Sequence, residues 1–404
     1  MKIPTLAPIG NPHIICDTTS YTVLSTGQTV TTNRYGQPLN GDALARALTL
    51  HGFPGVVVHV TGNQHKGLNI GDPNQNIGSS VWWGNGPVRD ITVVGTAPSA
   101  KIRNISDFDQ VGTVRLHNIV LENRPSAHCP FVVNMGFRVG RMILTNIGFI
   151  AEDPTAWGGK GMKWNIRGHG SASWYIANTT FHKAEEHATY IDNVQGDSYF
   201  LGLEGSGYGR TFMQFTNRQE SGPTAFGDLV LMNCKTSNNF GQGGSDFTFV
   251  GQGEGNIWCL NCESIGAPTG SNGAFVHWTD YGHGAYLTQR GFTTGGLVLW
   301  NFKCNHPAAN RDHISIAGVE NVIVGGFPRK SLIKGNKVGI SLDGEFGGGI
   351  NNGTVMFCTP GSPVSQWPAW QTGIKARKRI QGQYHNYTDT ELDNMYGPPW
   401  INFD

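Results

Sequence analysis

Apolar residues recur along this chain in short bursts, each closed by a polar corner, and the bursts form two interleaved families. In the first family the burst ends in asparagine: VRLHN at Asn118, MILTN at Asn146, WYIAN at Asn178, LVLMN at Asn233, IWCLN at Asn261 and LVLWN at Asn301. Successive gaps are 28, 32, 55, 28 and 40 residues, and the gap of 55 holds an extra unit, YFLGL, with Leu203 at the asparagine position. Later copies, VIVGG from 322 and TVMF from 354, lack the asparagine. The second family reads FVVNM, MKWNI, TYIDN, MQFTN, FTFVG, FVHWT, ISIAG and GISLD, starting at 131, 162, 189, 213, 247, 275, 314 and 339. Two strand series repeating every 24 to 40 residues predict a solenoid in which each coil adds one rung to several parallel sheets. Asparagines at one corner of successive coils predict a ladder, each amide bonding to the next coil about 4.8 Å away.

The ends of the chain break this pattern. Residues 1–41 are rich in Thr, Pro, Gly and Asn and read as an arm or cap. GDALARALTLHGFPGVVVHV then predicts a short helix capped by Asp42, with Leu44, Ala47 and Leu48 on one face. Gly52 to Gly55 ends it before a strand at Val56–Val60. Such a helix suits the open first end of a stacked coil. After residue 360 the repeats stop, and the Trp-, Tyr- and Pro-rich tail, 361–404, is expected to pack on the coils or on a partner.

The helix-then-strand opening at 42–60, the phrase DITVVGTAPSAKI at 90–102 and the asparagine corner resemble the right-handed parallel β-helix, or pectin-lyase-like, superfamily over residues 42–360. The resemblance implies an all-β fold: a single-stranded right-handed parallel β-helix with an N-terminal capping helix. It also implies a polysaccharide substrate, no required cofactor, with Ca2+ as the ion to consider, a monomer or homotrimer, and an extracellular or virion-associated setting. No catalytic signature of one member family is present, so no residue role is carried over.

Composition narrows the function classes. The 57 glycines, 20 phenylalanines and 11 tryptophans, with only 14% charged residues, fit many tight turns between short strands. A net charge of +1, with no basic run longer than KARKR at 375–379, speaks against nucleic acid as a partner. No run of 18 apolar residues exists, so no membrane span is expected, and MKIPTLAPIG lacks the apolar core of a secretory signal. Export by that route would require that a leader had been removed. Among the seven cysteines, Cys259-x-x-Cys262 has redox or metal spacing, but its place inside the strand-like WCLNCES predicts two small core residues.

Chemistry concentrates between Glu185 and Arg218. With Trp164, Ile191, Phe215, Phe249 and Trp278 directed inward, alternation predicts two outward ranks. One is Lys163, Tyr190, Gln214, Thr248, His277; the other is Asn165, Asp192, Thr216, Val250, Thr279. A lyase acting on a uronic acid must neutralise the carboxylate, remove the adjacent proton and protonate the leaving oxygen. Arg167 or Arg218, with Asn165 or Asn193, suits the first task; Tyr190 beside Lys163 suits the second; His187 serves as partner acid or base. Asp192 completes the catalytic set, and Glu186, Asp197, Gln214, His277 and Tyr281 are expected to bind substrate. A glycoside hydrolase would need two carboxylic acids from Glu185, Glu186, Asp192, Asp197, Glu204 and Glu220. A non-catalytic glycan-binding or tailspike-type attachment protein is the third reading. A second cluster, HWTDYGHGAYLTQR, matches no metal-site spacing and reads, with Trp82, Trp83 and the WGGKG loop at 157, as aromatic lining for a sugar chain.

Overall fold

The computed structural model describes residues 2–33, 35–51, 55–66, 68–70, 80–81, 89–103, 105–106, 111–123, 131–135, 139–151, 164–169, 173–184, 186–192, 194, 196–216, 227–239, 245–250, 255–266, 273–278, 294–305, 314–317, 319–325, 340–343, 355–358, 374–380 and 383–386, some of them by backbone alone. Among the described residues there are thirty-four strands and one helix, so the chain is all-β, as its repeats predict. No helix among them is long and apolar enough to cross a membrane. The chain forms two compact units, Met1–Ile191 and Asp192–Asp404.

In the first unit, one parallel ladder runs through Ile14–Cys16, Val56–Val60, Arg89–Gly95, Val111–His117, Val139–Thr145 and Ser173–Thr180. A second joins Asn63–Gln64, Lys101–Arg103, Val120–Asn123 and Gly148–Ala151. A third joins Leu68–Ile70, Ile105–Ser106, Phe131–Met135 and Trp164–His169. The alternation in the sequence sets which side chains face in. Val114 and Leu116, Met142 and Leu144, and Trp174 and Ile176 are at most 1% exposed, and Ile119 and Ile147, just past their corners, are 2% exposed. Each such burial contributes about 1.5–3 kcal/mol before entropy is counted.

The second unit repeats the scheme. One ladder runs through Ser198–Ser206, Leu229–Met232, Asn256–Leu260, Thr294–Trp300, Val319–Gly325 and Val355–Cys358. The far end of Ser198–Ser206 starts a second with Lys235–Asn239, Glu263–Gly266 and Lys303–Asn305. The third joins Thr211–Thr216, Ser245–Val250, Gly273–Trp278, Ile314–Ala317, Ile340–Asp343 and Ile374–Ile380. Tail residues therefore add a rung beyond 360, followed by an antiparallel partner, Gln383–Asn386. The charges in IKARKRI hid its strand character. Phenylalanines fill the interior: Phe215 lies 4.9 Å from Phe200 and stacks on Phe249 at 5.1 Å, Phe249 meets Phe275 at 5.3 Å, and Phe275 meets Phe302 at 6.0 Å.

The asparagine corner has a backbone explanation. Asn118, Asn146, Asn178, Asn233, Asn261 and Asn301 all have positive φ, between 49° and 56°. An ordinary L-residue pays about 1–2 kcal/mol in this left-handed conformation, which asparagine and glycine tolerate best. The turn directs the corner N–H to the next coil: Asn118 donates to Thr145 O, Asn146 to Ala177 O, Asn233 to Leu260 O and Asn261 to Trp300 O, at 2.9–3.0 Å. The expected amide ladder is present in part, since Asn301 Nδ2 donates to Asn261 Oδ1 at 2.9 Å and Asn118 Nδ2 to Gly95 O at 2.8 Å. In the extra unit the corner is Gly202, at φ 63°, and not Leu203, which is wholly buried one position later. Pairing of Leu201 with Met232 and Glu204 with Lys235 fixes that register.

Helix Ala43–His51 lies at the first end and buries Ala43, Leu44, Ala45, Ala47 and Leu48. Its cap differs from expectation. Gln64 Oε1 accepts the Leu44 N–H at 2.9 Å, while Asp42 pairs with Lys66 at 3.7 Å. Tyr21–Val23 and Gln28–Val30 make an antiparallel hairpin on Ile14–Cys16. The preceding arm is tied to the first ladder by His13, whose Nδ1 accepts the Val57 N–H at 3.0 Å, and by Arg115, which donates to Ala7 O at 2.6 Å.

Cys234, Cys259 and Cys262 are fully buried free thiols. Cys234 donates to Phe200 O at 3.3 Å and Cys262 to Leu231 O at 3.7 Å, and burial pushes both thiols well up. The Cys259-x-x-Cys262 spacing is that of two inward positions on either side of the Asn261 corner.

Candidate functional site

Three of the expected site residues meet on one stretch of the first unit. His187 opens the strand His187–Asp192 and Tyr190 lies three residues along it. Their rings are 5.2 Å apart, edge to face at 66°, and His187 Nε2 lies 3.7 Å from the Glu186 carboxylate. Imidazole, carboxylate and phenol are residue types that can hold or pass a proton, and here the imidazole lies beside both others, at a distance from the carboxylate longer than a hydrogen bond. Burial is the main departure from expectation. All six residues of the strand are buried, with His187 at 1% and Tyr190 at 8% exposure, whereas alternation had placed Tyr190 on an open face.

The inward half of the alternation is as expected. Ile191 is fully buried, and a Cβ at Gly168 would lie 3.4 Å from Ile191 Cγ2 and 2.5 Å from the Trp174 ring. Asn165 and Arg167 alternate with Ile166 and Gly168 on Trp164–His169, whose neighbour in the sheet is His187–Asp192. The side chains of Asn165, Arg167, Trp164, His277 and Trp278, and the whole of Lys163, Glu185, Asn193, Arg218, Glu220 and Tyr281, lie outside what the structure describes. So do the WGGKG loop, Trp82 and Trp83 and most of the second cluster.

In the second unit Asp192 is 5% exposed, and Gln214 donates to Thr216 Oγ1 at 3.1 Å. Gln214 pairs with Thr248 and Thr216 with Val250, as the two ranks predict. One strand further the register is one residue off: Thr248 pairs with Val276 and Phe249 with His277, so His277 leaves the outward rank and Trp278 pairs with Val250. The reason is that Phe275, rather than Trp278, continues the phenylalanine stack, and a one-residue slip exchanges the two faces of a strand.

Asp197 serves the backbone. Its Oδ1 accepts the Asp228 N–H at 2.9 Å, and Asp228 Oδ1 in turn accepts the Asn256 N–H at 2.9 Å. In the first unit Asp90 accepts the Thr113 N–H at 2.7 Å in the same way. This staple was legible as an acidic or amide residue at the start of DITVV, DSYFL, DLVLM and NIWCL. It engages one of the carboxylates that a hydrolase reading would use. Glu204 is likewise in a rank, paired with Lys235, then Glu263, then Lys303.

Sequence reasoning missed Asp246. It is fully buried, accepting from Asn239 Nδ2 at 2.9 Å and from Ser264 Oγ at a bond of 2.5 Å. Asn239 also donates to Thr236 Oγ1 and accepts the Tyr208 N–H, each at 2.9 Å. Asn238, at φ 55°, interrupts the ladder between Ser237 and Asn239 and turns the strand there. The only advance signal was a second asparagine away from the repeating corner. The network ties three successive coils together from inside.

Among the described residues no group of three or more His, Cys, Asp or Glu side chains could hold a metal ion. No family model, curated protein or solved structure matches this chain.

Proposed function

We propose that the chain is a right-handed parallel β-helix of the pectin-lyase-like kind, and that it cleaves a uronic-acid-containing polysaccharide by β-elimination at His187 and Tyr190. The observation that carries the reading is the Glu186–His187–Tyr190 cluster, with the imidazole 3.7 Å from a carboxylate and its ring centroid 5.2 Å from that of the phenol. In the reaction one of these two groups accepts the proton alpha to the sugar carboxylate. The electron pair forms the ring double bond, the glycosidic C–O bond breaks, and the other group protonates the departing oxygen. Glu186 orients the imidazole. Arg167 and Asn165, at alternate positions of the neighbouring strand, are assigned to the substrate carboxylate. Lys163 remains part of the proposed site, with calcium as the ion to test and a monomer or homotrimer as the working state.

The test is incubation with a panel of uronate polymers while the ultraviolet absorbance of the unsaturated product is followed. Growth of absorbance is expected, with at least a roughly hundredfold loss in His187→Ala and Tyr190→Phe, the scale of acid–base contributions. New reducing ends without absorbance would replace the lyase by a hydrolase, and binding without cleavage would replace both by an attachment protein.

A further inference from the structure

A second site, independent of the catalytic reading, lies at the corners of the first unit. The turn at residues 96–100 is longer than the corners at 118–119 and 146–147 on the next two coils. It therefore stands out as a wall beside them. Three bonds fix it: the Thr96 N–H donates to Val60 O at 3.0 Å, Ser99 Oγ to Thr61 O at 2.6 Å, and the Ala100 N–H to Ala97 O at 2.9 Å. Beside this turn is a pocket of about 280 Å³, lined by Thr96, Ala97 and Pro98 and, from the next two coils, by Asn118, Asn146 and Gly148.

The lining dictates what fits. It contains no ionisable side chain, so a charged ligand would shed water with no countercharge in return. Ala97 and Pro98 offer a C–H surface. Asn118 Nδ2 is engaged with Gly95 O, whereas the Asn146 amide has no hydrogen bond to any described residue and presents a donor and an acceptor together. An amide matches a pair of neighbouring hydroxyls, one accepting and one donating. The volume lies just under the roughly 300 Å³ at which ligand pockets begin, which limits the occupant to a single ring. We propose that this pocket is a subsite for one ring of a neutral sugar, with the Asn146 amide bridging two vicinal hydroxyls and the ring face lying on Pro98. Its wall is already fixed by hydrogen bonds, so little ordering is needed on binding.

Two substitutions address it without disturbing the fold. A Cβ at Gly148 would meet only Val120 Cγ2, at 3.8 Å, so Gly148→Leu projects into the pocket. Asn146 has φ 55°, a conformation glycine keeps, so Asn146→Gly removes the amide alone. The full chain is titrated by ligand-observed NMR with maltotriose, mannotriose, chitotriose and a trigalacturonate, and thermal unfolding confirms that each variant is folded. Saturable binding of at least one neutral trimer is expected, weakened about tenfold or more in both variants, which is a loss of about 1.4 kcal/mol. Binding of none of the neutral trimers, tighter binding of the trigalacturonate, or unchanged affinity in a folded Asn146→Gly protein would each overturn the subsite. Because the readout is binding at the corner, loss of uronate cleavage in His187→Ala leaves this result unaffected.

Discussion

At the scale of single residues, the corner asparagines act through φ more than through their amides. Asn233 has φ 56°, and its N–H closes the bond to Leu260 O. Asn233→Ala is expected to lower unfolding free energy by about 1 kcal/mol, and Asn233→Gly by much less, as read from denaturant midpoints at equal m-values. An equal loss in both would return the explanation to the side-chain amide. Asp246 makes the opposite case, a polar group whose partners matter more than its backbone. Removing it in Asp246→Ala takes the 2.5 Å acceptor from Ser264 and one of the two acceptors from Asn239 inside the core, for an expected cost of about 1–3 kcal/mol. Asp246→Asn, which keeps an acceptor oxygen, should cost less. A surface-like loss below about 0.5 kcal/mol would show that the network is dispensable.

At the scale of elements, side chains that bind backbone across coils set register. Asp228 accepts from Asn256 and donates its own N–H to Asp197, so one residue joins three rungs. Asp228→Ala is expected to lower protection of the Asn256 amide in hydrogen exchange while leaving the Asn233 amide protected. The hairpin at the first end depends on pH in a defined direction. Burial pushes the Asp17 carboxyl up, but bonds from the Thr19 and Ser20 N–H groups and hydroxyls outweigh it and hold the carboxyl below its ordinary value. A carboxyl held down in the folded state stabilises fully above its unfolded value near 3.9, and the gain is lost as pH falls through the folded value below that. The stability advantage of the native chain over Asp17→Asn should therefore be constant above about pH 5 and shrink below about pH 4 in acid unfolding. An advantage that grew on acidification would contradict the assignment.

At the scale of the whole molecule, much of the repeat was legible because its two constraints are local. Inward residues alternate with period two, and a left-handed corner selects asparagine, so six corners could be read directly from spacing. Gly202 escaped because glycine satisfies the same corner without standing out among 57 glycines. The slip at Gly273–Trp278 had a different cause. FVHW offers aromatics at both parities, and only packing of Phe275 between Phe249 and Phe302 decides between them. The candidate cluster was legible as a set of residue types on the strand His187–Asp192 and just before it, Glu186, His187 and Tyr190. Its burial was not, because what covers a face comes from other parts of the chain and leaves no mark on the alternation of the strand itself.

The rank Glu204, Lys235, Glu263, Lys303 gives the repeat a parity. Strand register and the corner would by themselves let a coil be cut out as a cassette. Deleting residues 234–261 rejoins Asn233 to Cys262, conserves a corner and leaves Leu229–Met232 to meet Thr294–Trp300. The excision nevertheless sets Glu204 against Glu263, acid on acid, a pairing that opposes the stack by up to about 1 kcal/mol. Within these four rungs, coils can therefore be gained or lost in twos more readily than singly. Adding Glu204→Lys to the 28-residue deletion gives back an alternating rank with Glu263 and Lys303 and should raise its melting temperature, an effect that disappears in molar salt.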